Sequence, residues 1–237
     1  ALERYKDLTI AFTSFLVASF LPMFGYRRSM MLALAIVGGA CLLMPLYPSF
    51  LTTRLLFACV GVGFAMAKVC VYSSIGLLTT DRIAHSRLTN TVEGLFMVGV
   101  LGGNWIFSAF VDPLHPGNPV WFNVYWLLAG ACALVIVLLA GSRLDESAAH
   151  AHGHNNSFSD SLLEMLQLFV RPLVYVFLAS AFLYVLIEQS FGTWLPTFNN
   201  EILKLPNAMS IQFASILAGM TALGRLGAGI VLKRVRW

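Results

Sequence analysis

Long apolar stretches alternate with short polar ones along the whole chain. Seven apolar runs stand out, at about 8–24, 29–47, 50–78, 90–111, 120–141, 172–198 and 210–232. A hydrocarbon core about 30 Å thick is crossed by roughly 20 helical residues, and each run is of that order. In lipid, an isolated segment satisfies its own backbone hydrogen bonds only as a helix. A β-barrel would need alternating segments of about ten residues, and these runs are too long and too evenly apolar for that. The pattern predicts an all-α integral membrane protein, multi-pass, with about seven transmembrane helices.

The longest polar interruption is 142–161, with HAHGHNNS inside it. His150, His152 and His154 read better as a solvated linker than as a metal site, because no further ligand is close in sequence. The stretch SDSLLEMLQLFVRP follows, with polar residues at Ser161, Glu164, Gln167 and Arg171. That spacing puts them on one wet face of a helix, and Ser161 with Glu164 fits a capping box. It predicts a short amphipathic helix at the inner membrane surface. The chain then divides into 1–141, part of an N-terminal helical half; 142–171, a cytoplasmic linker; and 172–237, the start of a C-terminal half.

Composition agrees with lipid as the solvent. Hydrophobic residues make up 58% of the chain and charged residues 11%, against about a quarter charged in a soluble domain. A net charge of +4 does not indicate a nucleic-acid partner, because the basic residues sit at the ends of apolar runs and form no face. They give a direction instead. Arg27 and Arg28, Arg82 and Arg87, Arg143 and Arg171, and the tail with Lys233, Arg234 and Arg236 occupy alternate connections. Positive residues mark the cytoplasmic side, so these connections lie inside and the first run starts outside. The four cysteines (Cys41, Cys59, Cys70 and Cys132) fall within apolar runs without a CxxC pair, which suits packing rather than metal binding or disulfides.

Five charged residues interrupt the apolar runs: Arg54, Lys68, Glu93, Glu188 and Arg225. Each costs about 2.5 kcal/mol or more in hydrocarbon, and such groups usually face a bundle interior or a wet cavity. Arg54 and Arg225 lie within a few turns of a run's end and read as gating or structural groups, together with Arg27 and Arg28. Glu188, Glu93 and Lys68 read as substrate or proton-coupling groups. Asn104 shares the face of Glu93, at the spacing Glu93, Met97, Val100, Asn104, Ser108. Gly99 and Gly103 on the same run form a GxxxG pair that admits a close neighbour. Glu93 is the nearest acid to Lys68 in sequence, but a rise of 1.5 Å per residue leaves about 10 Å between their levels, a gap for water or substrate. Around Glu188, Tyr184 shares its helical face, Gln189 adjoins it, and Gly192, Trp194 and Pro196 follow. Glycine and proline both weaken a helix, which predicts a discontinuity of the kind found at transporter sites. Tyr184 and Trp194 offer flat rings suited to a sugar or an organic cation. Lys68 offers a counter-charge to an organic anion.

The segment LYVLIEQSFGTWLP (183–196), followed one run later by GMTALGRLGAGIVLKR (219–234), resembles the major facilitator superfamily, and within it the fucose:proton symporter group and related bacterial sugar porters. GYRRS (25–29) and Arg54 in LTTRLLFACVGVG are similar to the family's basic loop and its fourth-helix arginine. Two usual loop acids are not present: Pro22 lies near the place of one, and Lys233 stands where the other belongs. The resemblance implies a helical bundle of twelve helices in two halves, with family helices two to eight present here and the others missing partners from the same protein. It implies a secondary active transporter, not an enzyme. A small polar solute, a sugar or related molecule, would cross a bacterial cytoplasmic (inner) membrane by alternating access coupled to protons. Its partners would be that solute, protons and lipid, with no cofactor and no metal. Two other readings compete. One is a seven-helix receptor, with Asp81-Arg82 as an acid–arginine pair at the end of the third run. The other is a scaffold subunit that keeps the fold without transport.

Overall fold

The computed structural model of the chain describes residues 2–110, 119–142, 163, 167 and 171–231. These contain seven long α-helices: α1 (Leu2–Phe24), α2 (Tyr26–Leu46), α3 (Phe50–Leu78), α4 (Arg82–Phe110), α5 (Val124–Gly141), α6 (Pro172–Glu201) and α7 (Asn207–Val231). A 3-10 turn, Pro119–Asn123, leads into α5. No strand occurs among the described residues. The histidine tract, the basic tail, and the expected linker helix apart from Leu163 and Gln167 lie outside the described residues.

Every apolar run is a helix, and the ends that differ do so for one reason. Hydropathy follows the lipid-facing part of a helix, whereas the hydrogen-bond ladder runs on into polar sequence. α1 therefore begins at Leu2 and includes Lys6 and Asp7. α4 begins at Arg82, eight residues before its apolar run. The Asp81 carboxylate accepts the Ala84 amide at 2.6 Å, capping the first turn of α4. The Asp81-Arg82 pair is thus a helix start. Ser49 and Thr52 cap α3 reciprocally. The discontinuity expected at Gly192 and Pro196 is not seen: α6 stays helical through Pro196 to Glu201. Pro196 removes one amide and crowds the carbonyl four residues back. That residue is Gly192, which has no side chain to resist the adjustment.

The chain forms two compact units, residues 1–80 with 110–161, and 81–109 with 162–237. In the first, α3 packs along both α1 and α2, and α2 also packs on α5. Two glycines of α3 make this possible. A Cβ on Gly61 would lie 2.8 Å from the Lys6 carbonyl oxygen of α1, and one on Gly63 would overlap Val37 of α2. Two residues turn a helix by about 200°, so the pair opens opposite sides of α3 to its two neighbours. Ala40, Cys41, Met44, Leu56 and Ala129 form one buried cluster, and Tyr26 with Cys70 form another. There the cysteines act as small apolar side chains. α1 and α2 meet at Gly25 alone, whose φ of 87° is open to glycine and strained for most other residues. The Arg27 guanidinium donates to the Ala140 carbonyl at 2.9 Å, placing a cation at the negative end of α5.

In the second unit α6 packs on α7. Their connection turns at Lys204, which has a φ of 55°. Asn200 Nδ2 donates to the Leu205 carbonyl at 2.9 Å and fixes the turn. α4 comes close to α7 at Gly94, where an added Cβ would meet the Leu226 Cγ at 2.6 Å. The GxxxG pair Gly99 and Gly103 was expected to admit a neighbour, but nothing described lies within 4 Å of a Cβ there. Side chains such as Leu173 (81% exposed) and Phe177 (69%) on α6 present apolar surface that lipid or apolar protein must cover.

Candidate functional site

The ionisable residues of the second unit converge. α7 brings Arg225 between α4 and α6. Its Nη1 lies 3.0 Å from Glu93 Oε2 of α4, and its Nη2 lies 3.7 Å from Glu188 Oε1 of α6. Nη2 also donates a 2.8 Å hydrogen bond to the Tyr184 hydroxyl, and the Tyr184 ring centroid is 6.0 Å from the guanidinium carbon. Tyr184 and Glu188 are four residues apart, so α6 presents both to the same nitrogen. Gly94, beside Glu93, removes the bulk that would hold α4 away from Leu226, the neighbour of Arg225.

The three charged side chains are largely removed from water, with relative exposures of 22% for Arg225, 15% for Glu93 and 26% for Glu188. One guanidinium serves two carboxylates. Glu93 holds the closer position and Glu188 the looser one, beyond hydrogen-bond reach. Arg225 Nε is buried and has no hydrogen-bond partner among the described residues, although such a donor normally has one. With all three groups ionised, the cluster carries one uncompensated negative charge.

The sequence placed Glu93, Glu188 and Tyr184 among the coupling groups, and the structure brings these three together. Their organiser is Arg225, which sequence reasoning had set aside as gating or structural. Counting charge within the apolar runs was the signal that could have found it: two acids in this unit's helices and one arginine to balance them. Glu93, offered as the nearest acid to Lys68, pairs with Arg225 of its own unit. Asn104, Gln189 and Trp194 are exposed on their helices, without a hydrogen bond or ring contact among the described residues.

The cations of the first unit are held differently. On α3 the Arg54 guanidinium lies 4.3 Å from the Phe50 ring centroid and 5.6 Å from that of Tyr5. The Lys68 ammonium lies 5.5 Å from the Phe64 centroid and 5.8 Å from that of Tyr72. Arg27 caps α5 as described, and Arg28 is exposed. Among the described residues no three His, Cys, Asp or Glu side chains group as a metal site.

Among the described residues α2, α3, α5 with its leading turn, and α6 are long and apolar enough to cross a membrane, and ionisable side chains are drawn together in the second unit. The sequence profile of the Major Facilitator Superfamily matches residues 8–237, and the chain belongs to that family. No curated protein and no solved structure matches it significantly. Members of the family are transporters rather than enzymes; they bind small-molecule substrates and sit in lipid as multi-pass proteins. Membership sets aside the receptor reading.

Proposed function

We propose that the chain belongs to a proton-coupled secondary transporter for a small polar solute, a sugar or related organic molecule, in a bacterial cytoplasmic membrane. The halves 1–141 and 172–237 rock about the linker to expose the site to each side in turn. The basic connections face the cytoplasm. One observation carries the coupling: in a membrane-spanning unit, Arg225 is shared unequally by Glu93 and Glu188. A proton on the looser carboxylate, Glu188, brings the trio to neutrality, and its release restores the negative charge. A neutral cluster crosses between states more cheaply than a charged one in a low-dielectric setting. Proton binding can therefore be tied to the conformational change.

The test uses the full-length protein in proteoliposomes. Glu188→Gln keeps the shape of the side chain and removes its proton exchange. We expect solute accumulation driven by a pH gradient to be abolished, while solute exchange at equal concentrations survives. Loss of both activities in a well-folded variant would make Glu188 a binding residue. Normal gradient-driven accumulation would refute the coupling.

A further inference from the structure

We propose that Lys68, flanked by Phe64 and Tyr72, receives a carboxylate of the transported solute, so that the solute is an organic anion. The inference rests on the family's transport activity and not on proton coupling. Lys68 is the nineteenth residue of α3, ten residues from its end at Leu78, about 15 Å along the axis. α3 is long and apolar enough to cross a membrane, and Lys68 lies well inside it rather than in an end turn. A cation at such a depth needs a partner.

None of the described side chains in its own unit supplies one. The Asp7 carboxylate of α1 sits 3.8 Å from Lys6, and no carboxylate among the described residues of the unit pairs with Lys68. What holds the ammonium is aromatic. Phe64 and Tyr72 stand four residues before and after it, and both rings lie within 6 Å. A ring face attracts a cation through its quadrupole but carries no net charge. The ammonium is therefore weakly held between two rings and keeps its full positive charge. A salt bridge would have spent that charge on a protein carboxylate.

Arg54 is the internal control. It too rests on rings, but it is the fifth residue of α3 and its longer side chain can reach interfacial water. Arg54 has no need of a ligand; Lys68 does. Lys68 is exposed on its helix, so its charge is open to an incoming group.

The shared chemistry, an anionic oxygen cluster, could come from a solute carboxylate or a lipid phosphate, and the experiment separates them. Full-length protein is reconstituted in neutral phosphatidylcholine and, in parallel, with added phosphatidylglycerol. Uptake of labelled gluconate, glucuronate, lactate and succinate is compared with that of glucose, fucose and glycerol. We expect at least one carboxylate to be transported, in both lipid mixtures, and to be preferred over the neutral compounds. Lys68→Gln should raise its KM by tenfold or more, with folding in detergent unchanged, and Lys68→Arg should recover part of the affinity. Transport of neutral compounds only, or of none of the acids, would overturn the proposal. So would Lys68→Gln uptake equal to wild type, or a Lys68→Gln effect that follows phosphatidylglycerol content instead of solute charge. Carboxylate transport without any response to a pH gradient would leave this inference standing and refute the coupling at Glu188. Gradient-driven transport of a neutral sugar would do the reverse.

Discussion

The two units hold the charges of their apolar helices in opposite ways. In the second, Arg225 is surrounded by carboxylates and a hydroxyl, and its charge is more than neutralised. In the first, Arg54 and Lys68 rest on aromatic rings that position them without neutralising them. Stranding one member of an ion pair is expensive, whereas moving a cation off a ring is cheap. The same residue type thus serves two ends. The charged trio is strongly coupled, so a change at one member is felt by the others. The ring-held cations are weakly coupled to the protein and remain available to something else.

The largest test of this contrast is Arg225→Met. It strands Glu93 and Glu188 together, at about 3 kcal/mol or more, which corresponds to more than 100-fold in an equilibrium. We expect poor folding, seen as a lower melting temperature in detergent, and transport reduced beyond detection. Adding Glu93→Gln and Glu188→Gln to Arg225→Met should recover folding but not transport. An Arg225→Met protein as stable as wild type would mean that the trio is not coupled.

Next in size is the asymmetry between the two acids. Glu93 sits at 3.0 Å and Glu188 at 3.7 Å from Arg225. Glu93→Gln should therefore lower the melting temperature more than Glu188→Gln does. Equal shifts would erase the distinction between a firm and a loose partner, and with it the choice of Glu188 as the proton carrier.

Tyr184→Phe keeps the ring and removes the hydroxyl that accepts from Nη2. A hydrogen bond to a charged group contributes about 1.5 kcal/mol or more, so uptake should fall by roughly tenfold with folding intact. An unchanged rate would show that the hydroxyl does not position Arg225. Smallest is Phe64→Leu. Losing one ring from Lys68 removes about 0.5–1 kcal/mol, a two- to fivefold rise in KM for an anionic solute and no measurable change in stability. A stability loss as large as that of Glu93→Gln would show that the ring-held cation is structural after all.

All seven helices were legible in the hydropathy pattern, because lipid enforces length and apolarity together. α3 was read at its true ends, 50–78, because Ser49 and Thr79 bound a long, mostly apolar run. The first eight residues of α4 were missed, since RIAHSRLT is polar and hydropathy is blind to a helix in water. The convergence of Glu93, Glu188 and Tyr184 was half legible. Helical phase put each on the right face, but phase within one helix says nothing about which neighbour that face meets. Arg225 was read as gating or structural from its nearness to a helix end, and charge balance was the signal for its pairing with both acids. Pro196 misled in the other direction: its rule describes an isolated helix, and here α6 stays helical through it.

The single-residue joint at Gly25 bears on how the protein is made. α1 and α2 diverge from it and touch each other little; both pack against α3, and α2 packs on α5 as well. The glycines that receive them, Gly61 and Gly63, belong to α3 and are synthesised last of the three. While the ribosome is still translating residues 50–78, α1 and α2 lack the α3 face whose glycines receive them. Assembly of this unit therefore waits on the third helix. A chain cut short before Gly61 would leave α1 and α2 without the two glycines that let them close on α3.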